Sequence, residues 1–205
     1  VKLLLAFEPP YDWPAMLGFL SARAIAGMEQ VVDGTYSRSI GLNGVHGTLS
    51  IKPATADSLE LTLDFPDASA IPEIVARLRR MFDLDADLIT MQRHLAFDPL
   101  LARLIAQHPG LRVPGTWDGL ELAIRAVLGQ QITVSAAIKL AGKLVAQSGA
   151  SLTSPHGGLT HVFPEAVVLA AADLATLGMP KSRGRTLSGV AQALLDDPLL
   201  FEPDR

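Results

Sequence analysis

The chain has 205 residues, 49% of them hydrophobic and 19% charged, with 17 glycines, 14 prolines and no cysteine. That composition supplies a substantial core and excludes disordered and fibrous classes; the missing thiols exclude a disulfide scaffold, a thiolate zinc site and a cysteine-ligated iron–sulfur cluster. The net charge of −4 hides an asymmetry, because residues 1–90 hold seven basic and twelve acidic side chains while residues 101–195 hold eight basic and four acidic.

A local positive balance suits a phosphate-facing surface, since phosphate responds to local potential rather than to total charge. Such imbalances are also common on solvated faces, so the asymmetry alone identifies no partner. The longest unbroken apolar run is Ala166–Ala172, far short of the roughly 18 residues of a membrane helix. Val1–Phe7 carries one lysine and no cleavage-like site, so a soluble, cytoplasmic chain without a membrane partner is expected.

In chain order, Lys2–Glu8 reads as a short strand ended by Pro9-Pro10. Asp12 is a fitting N-cap, with Pro14 in the first turn of a helix whose Met16, Leu17, Phe19, Leu20 and Ala24 recur at helical spacing. Strand segments follow at Met28–Val32, Tyr36–Leu42 and Val45–Lys52, separated by Asp33-Gly34 and Asn43-Gly44, the dipeptides of two-residue hairpin turns. Ser58–Phe65 alternates cleanly, with Leu59, Leu61, Leu63 and Phe65 on one face. A helix is predicted over 70–82, its stripe made by Ile71, Ile74, Val75, Leu78, Met81 and Phe82. The expected N-terminal architecture is α+β, an antiparallel sheet with helices on one face.

From about Leu88 the pattern turns all-helical, with pieces at 87–95, 98–107, 117–129, 133–147, 164–172 and 182–195, and with 148–158 read as loop. This places a boundary near residue 90, giving an α+β domain over 1–90 and a helical domain over 91–205.

No self-contained catalytic motif is present: there is no Gly-x-Ser-x-Gly elbow, no thiol nucleophile and no glycine-rich phosphate loop around Gly142-Lys143. His156, His161 and Glu165 match no metal-ligand spacing, and His46, His94 and His108 stand isolated, so neither a metal nor a cofactor is expected. The stretch Arg125–Lys139 is different. It joins two amphipathic helices by a tight turn that presents Gln130 and Gln131 side by side. A desolvated amide costs roughly 1–3 kcal/mol unless hydrogen-bonded, so the pair is either solvated or faces a polar partner.

That stretch resembles the corresponding helix–turn–helix of the bacterial DNA-3-methyladenine glycosylase II family, within the helix-hairpin-helix DNA glycosylases. Pro9-Pro10-Tyr11-Asp12-Trp13, Met16–Leu20, Ala22–Ala24, Arg80–Leu84, His108–Gly115, Leu169–Asp173 and Leu177–Arg183 are similar to further family blocks in the family's order, across essentially the whole chain. The resemblance implies an N-terminal domain like half of a TATA-binding-protein fold. It also implies a monofunctional enzyme of base-excision repair that takes alkylated purines out of duplex DNA by nucleotide flipping and hydrolyses the N-glycosidic bond. A monomer is the expected state.

By the same resemblance, Gln131 takes the wedge position that fills the gap in the duplex, flanked by Gln130 and Ile132. Phe19 falls on the aromatic that the N-terminal domain lends to the base pocket, and Arg23 lies one turn further on. The family's glycine-containing hairpin and catalytic aspartate are expected beyond residue 205, with Asp196, Asp197, Glu202 and Asp204 in a linker before them. The expectation is therefore the N-terminal two-thirds of such an enzyme, following an alkylation-response regulator in a fusion. The alternative is a non-catalytic DNA-binding or interaction module that keeps the glycosylase fold.

Overall fold

The computed structural model describes residues Val1–Glu202. Five strands, β1 (Lys2–Ala6), β2 (Glu29–Val32), β3 (Thr35–Leu42), β4 (Val45–Thr55) and β5 (Ser58–Asp64), form one antiparallel sheet in the order β1-β5-β4-β3-β2. The two hairpin dipeptides do what their chemistry favours: Asp33 and Asn43 sit at φ of 47° and 52°, each followed by a glycine at 74°. The register places Tyr36 opposite Ile51, Ile51 opposite Leu61, and Leu61 opposite Leu3, so an apolar row crosses one face of the sheet.

Helices α1 (Trp13–Ser21) and α2 (Ile71–Met81) cover that face with Trp13, Met16, Leu20, Ile74, Leu78 and Met81. Trp13 stacks on Phe82 at 5.6 Å and donates its indole N–H to the Gly34 carbonyl at 2.9 Å. Both helices are shorter than their predicted spans. The first stops at Ser21, and a single 3-10 turn over Ala68–Ala70 leads into the second.

The C-terminal part contains α3 (Leu88–Leu95), α4 (Pro99–Gln107), α5 (Gly119–Leu128), α6 (Val134–Ser148), α7 (Ala166–Ala171) and α8 (Lys181–Asp196). Asp87, Asp98, Asp118 and Thr133 cap α3 to α6 through their side-chain oxygens. Trp117, predicted on the α5 stripe, precedes the helix and packs into the sheet core instead. A second core unites Leu120, Ile124, Leu128, Leu144, Val145 and Leu187, and Ile25 and Met28 from the N-terminal segment enter it. Asp196 ends α8 and Asp197 caps it rather than lying in a linker, while Asp204 lies outside the described residues.

A further expectation is overturned. The segment read as loop contains a strand, β6 (Ser151–His156), which pairs with β7 (Leu159–His161) as a second, two-stranded antiparallel sheet. The helical part is therefore not all-α. Its hairpin turns at Gly157, whose φ is 58°, and it docks on β2 and the turn before it through bonds from Gly158 N to the Gln30 side chain (3.1 Å) and from Thr160 N to Gly27 O (2.7 Å). Only Leu152, Leu159 and Val162 form its small core, so docking on a neighbour, not amphipathic alternation, makes it a sheet. Among the described residues, no helix is long and apolar enough to cross a membrane.

Candidate functional site

The end of α1 and the turn after α5 face each other across a cavity of about 300 Å³. Phe19, Arg23 and Ile25 line one side, Ile132, Ala137 and Ile138 the other, with Leu122 and Arg125 of α5 between them. Three of the five sequence-predicted site residues, Phe19, Arg23 and Ile132, thus meet in one space. Phe19 keeps 38% of its surface exposed. The Arg23 guanidinium lies 3.9 Å from its ring centroid, and Arg23 Nη1 donates to the Phe19 carbonyl at 3.2 Å.

Gln130 and Gln131 do not line the cavity. Both are exposed on the adjoining turn, and Gln131 holds a φ of 59°, a left-handed conformation uncommon outside glycine. The turn is fixed on both flanks. Arg183 of α8 donates to the Gln130 carbonyl at 2.7 Å, and the Thr133 hydroxyl accepts from Ala136 N at 3.2 Å.

Behind the cavity lies a buried charge network that the sequence reading missed. Arg38, on the inner register of β3 between Tyr36 and Ile40, donates to Glu121 at 2.6 Å. Arg125 Nη2 donates to Glu121 at 2.6 Å and to Glu29 at 2.5 Å, and its Nη1 donates to the Arg23 carbonyl at 3.1 Å. The Tyr36 hydroxyl donates to Glu29 at 2.6 Å, and Ile25 N donates to the same carboxylate at 3.0 Å. Burial pushes the Tyr36 phenol well up, and the facing Glu29 adds to the shift. The network fastens β2 and β3 to α5 and, through Arg23, fixes the backbone of the cavity's first wall. The signal for it was present: Glu121 and Arg125 are four residues apart on a helix, and Arg38 occupies an inward strand position.

Burial pushes the Glu121 carboxyl up, but Arg38 and Arg125 outweigh it and hold the group below the ordinary glutamate value. A carboxylate depressed on folding stabilises fully above its unfolded pKa, and that contribution is lost as pH falls through the folded value. The melting temperature is therefore expected to fall below about pH 4.5 more steeply for the wild type than for Glu121→Gln. Parallel pH profiles of the two proteins by calorimetry would remove Glu121 from the acid response.

A larger cavity of about 400 Å³ lies between the β3–β4 hairpin and residues 162–166, and His46, Arg77, Trp117 and Glu165 are among its lining. Arg77 there is already paired with Glu73 (2.7 Å) and Asp118 (3.4 Å), and none of the five predicted residues reaches it. His108 is not isolated, since its Nδ1 lies 3.4 Å from Asp12. His161 faces Thr160, and among the described residues no cluster of three His, Asp or Glu side chains is placed to hold a metal ion.

Residues 2–118 match the family model described as the AlkA N-terminal domain. The probable bifunctional transcriptional activator/DNA repair enzyme AlkA of Mycobacterium tuberculosis is 38% identical over 202 residues, covering 98% of this chain and 40% of the relative. DNA-3-methyladenine glycosylase 2 of Escherichia coli is 36% identical over 199 residues, covering 95% of this chain and 68% of the relative. The chain thus spans two-fifths of the mycobacterial relative's length. Among solved structures, a 3-methyladenine DNA glycosylase from Archaeoglobus fulgidus superposes with a TM-score of 0.81 at 19% identity, over 93% of this chain and 66% of that one. An 8-oxoguanine glycosylase/lyase of Clostridium acetobutylicum, solved with double-stranded DNA, superposes at 0.59 and 14% identity, over 86% of this chain and 68% of that one.

Proposed function

Because the chain belongs to the AlkA family of DNA repair glycosylases, we propose that it receives an extruded alkylated purine in the Phe19–Arg23–Ile132 cavity while Gln131 enters the vacated duplex position. The observation that carries this reading is one juxtaposition. An aromatic from the sheet-bearing part and an apolar residue from the Gln130-Gln131 turn line the same half-open space. An electron-rich ring suits a base made cationic by alkylation, because its face attracts positive charge. The exposed turn next to it is where a residue replacing the flipped nucleotide has to stand.

The chain's own residues bind and orient the base in this reading; they do not cleave the bond. Bond cleavage needs a carboxylate beside the developing oxocarbenium ion, and among the described residues no carboxylate lines the cavity. The catalytic aspartate is assigned to the segment that the family resemblance expects beyond residue 205. A division into a TATA-binding-protein-like unit over 1–90 and a helical glycosylase unit over 91–205 belongs to the same proposal, supported by two apolar cores built mainly from one part each, with Trp117 crossing into the first and Ile25 and Met28 into the second.

Fluorescence anisotropy with paired duplexes, one carrying a mispaired N-methylated purine, tests the reading. The 205-residue chain is expected to prefer the lesion duplex and to release no base above buffer. Phe19→Ala is expected to cut that preference about five- to tenfold, the worth of one base–aromatic stack, with the affinity for undamaged duplex unchanged. Equal affinity for both duplexes overturns the pocket, and measurable base release overturns the placement of the aspartate.

A further inference from the structure

We infer that Arg23 is an exchange residue, which leaves the ring of Phe19 when a base enters and takes the phosphodiester of that same nucleotide; the inference rests on the base-pocket reading above. At 3.9 Å from the ring centroid the guanidinium already occupies stacking distance on Phe19. A purine and a guanidinium cannot share that face, so base entry displaces the cation.

The displaced cation has no acidic partner among the described residues. Its one bond is to the Phe19 carbonyl, at the exposed end of α1. The two carboxylates behind the same wall, Glu29 and Glu121, are engaged by Arg38 and Arg125. The backbone of Arg23 meanwhile stays in place, because Arg125 holds its carbonyl at 3.1 Å. The side chain therefore swings about a fixed Cα.

A base drawn into the cavity remains joined to a sugar and phosphates at the cavity mouth, where Arg23 is exposed. Phosphate is the group a guanidinium binds with most geometric specificity, through a charge-assisted, two-pronged contact. Base stacking on Phe19 and phosphate capture by Arg23 are then two halves of one exchange, each opening the place the other needs. The site's ligand class is a phosphodiester adjoining an unstacked purine.

The test uses a duplex with one mispaired 7-methylguanine on a 2′-fluoro sugar, which keeps the glycosidic bond intact. Its 5′ or 3′ phosphate is replaced in turn by a neutral methylphosphonate. For the wild type, one of these replacements is expected to weaken binding about tenfold, as loss of a charge-assisted contact does. For Arg23→Ala the same replacement is expected to change binding less than about twofold, and the salt dependence to fall by about one phosphate. Arg23→Lys, with the charge but not the fork, is expected to recover part of the sensitivity.

Unchanged methylphosphonate sensitivity in Arg23→Ala overturns the exchange. So does equal sensitivity at a linkage several nucleotides away, or full competition by inorganic phosphate, which marks a free-anion site instead. Failure of the wild type to prefer the lesion duplex overturns the base pocket and this inference with it. A wild type that prefers the lesion but ignores both replacements overturns the inference alone.

Discussion

Arg38→Met is expected to destabilise the chain by about 3–5 kcal/mol, the cost of breaking one partner out of a buried ion pair. Arg38 is 2% exposed, and it faces Glu121, also buried, at 2.6 Å. Methionine matches the length of the stem but leaves Glu121 with Arg125 as its only remaining cation, on a helix that otherwise buries Leu120, Ile124 and Leu128. The loss comes mainly from the uncompensated buried charge, since Glu121 and Glu29 would then share Arg125 alone, rather than from missing attraction. The double variant Arg38→Met with Glu121→Leu is therefore expected to recover most of it, since a buried pair replaced by apolar groups of similar volume is often close to neutral. Urea unfolding at neutral pH reads both. A single variant within about 1 kcal/mol of the wild type would mean that water reaches the pair and that the desolvation argument is wrong.

The same network shows which parts of the fold were legible in the sequence. The first sheet was, because Leu59, Leu61 and Leu63 alternate and because Asp-Gly and Asn-Gly permit one class of turn. The β6–β7 hairpin was not. Ser151–His156 runs Ser-Leu-Thr-Ser-Pro-His, with a single buried side chain; it pairs with β7, and the turn and β7 are themselves held by bonds from Gly158 and Thr160 to Gln30 and Gly27, more than a hundred residues away. No local pattern carries such a contact.

At the site, the paired glutamines were conspicuous because two amides at a helix turn need an explanation. Their environment was not legible, since the positive φ of Gln131 and the clamp from Arg183 are tertiary facts. Phe19 and Arg23 entered through family resemblance, and the structure brings them together with Ile132. Arg125 opens the conspicuous Arg125–Lys139 stretch, but its place in the buried network is not legible there. Periodicity marks apolar stripes, and it gives no weight to a charged residue whose partners, Glu29 and the Arg23 carbonyl, lie about a hundred positions earlier.

Replacing Gln131 separates the wedge from a merely solvated turn, and the backbone decides which replacement to use. At a φ of 59° any side chain with a Cβ is strained, by roughly 1–2 kcal/mol, whereas glycine is not. Gln131→Gly therefore removes the amide while easing the turn, and its stability is expected to match or slightly exceed the wild type's. Gln131→Val is expected to lose about 1 kcal/mol, because a β-branched residue tolerates the left-handed region worst. Against that background, a functional loss in Gln131→Gly cannot be attributed to unfolding. Flipping a paired base costs a few kcal/mol, which an inserted side chain offsets in part, and a mispaired base costs less to flip. With 2-aminopurine reporting the unstacked state, Gln131→Gly is expected to hold a matched target about tenfold less well and a mispaired one about two- to threefold less well. Gln130→Ala, exposed on the same turn but fixed by its carbonyl rather than its side chain, serves as the neighbour and is expected to change either value less than about twofold. Equal losses on matched and mispaired targets, or none, would leave Gln131 as a solvated turn residue and move the wedge elsewhere, with Ile132 at the cavity edge the next side chain to test.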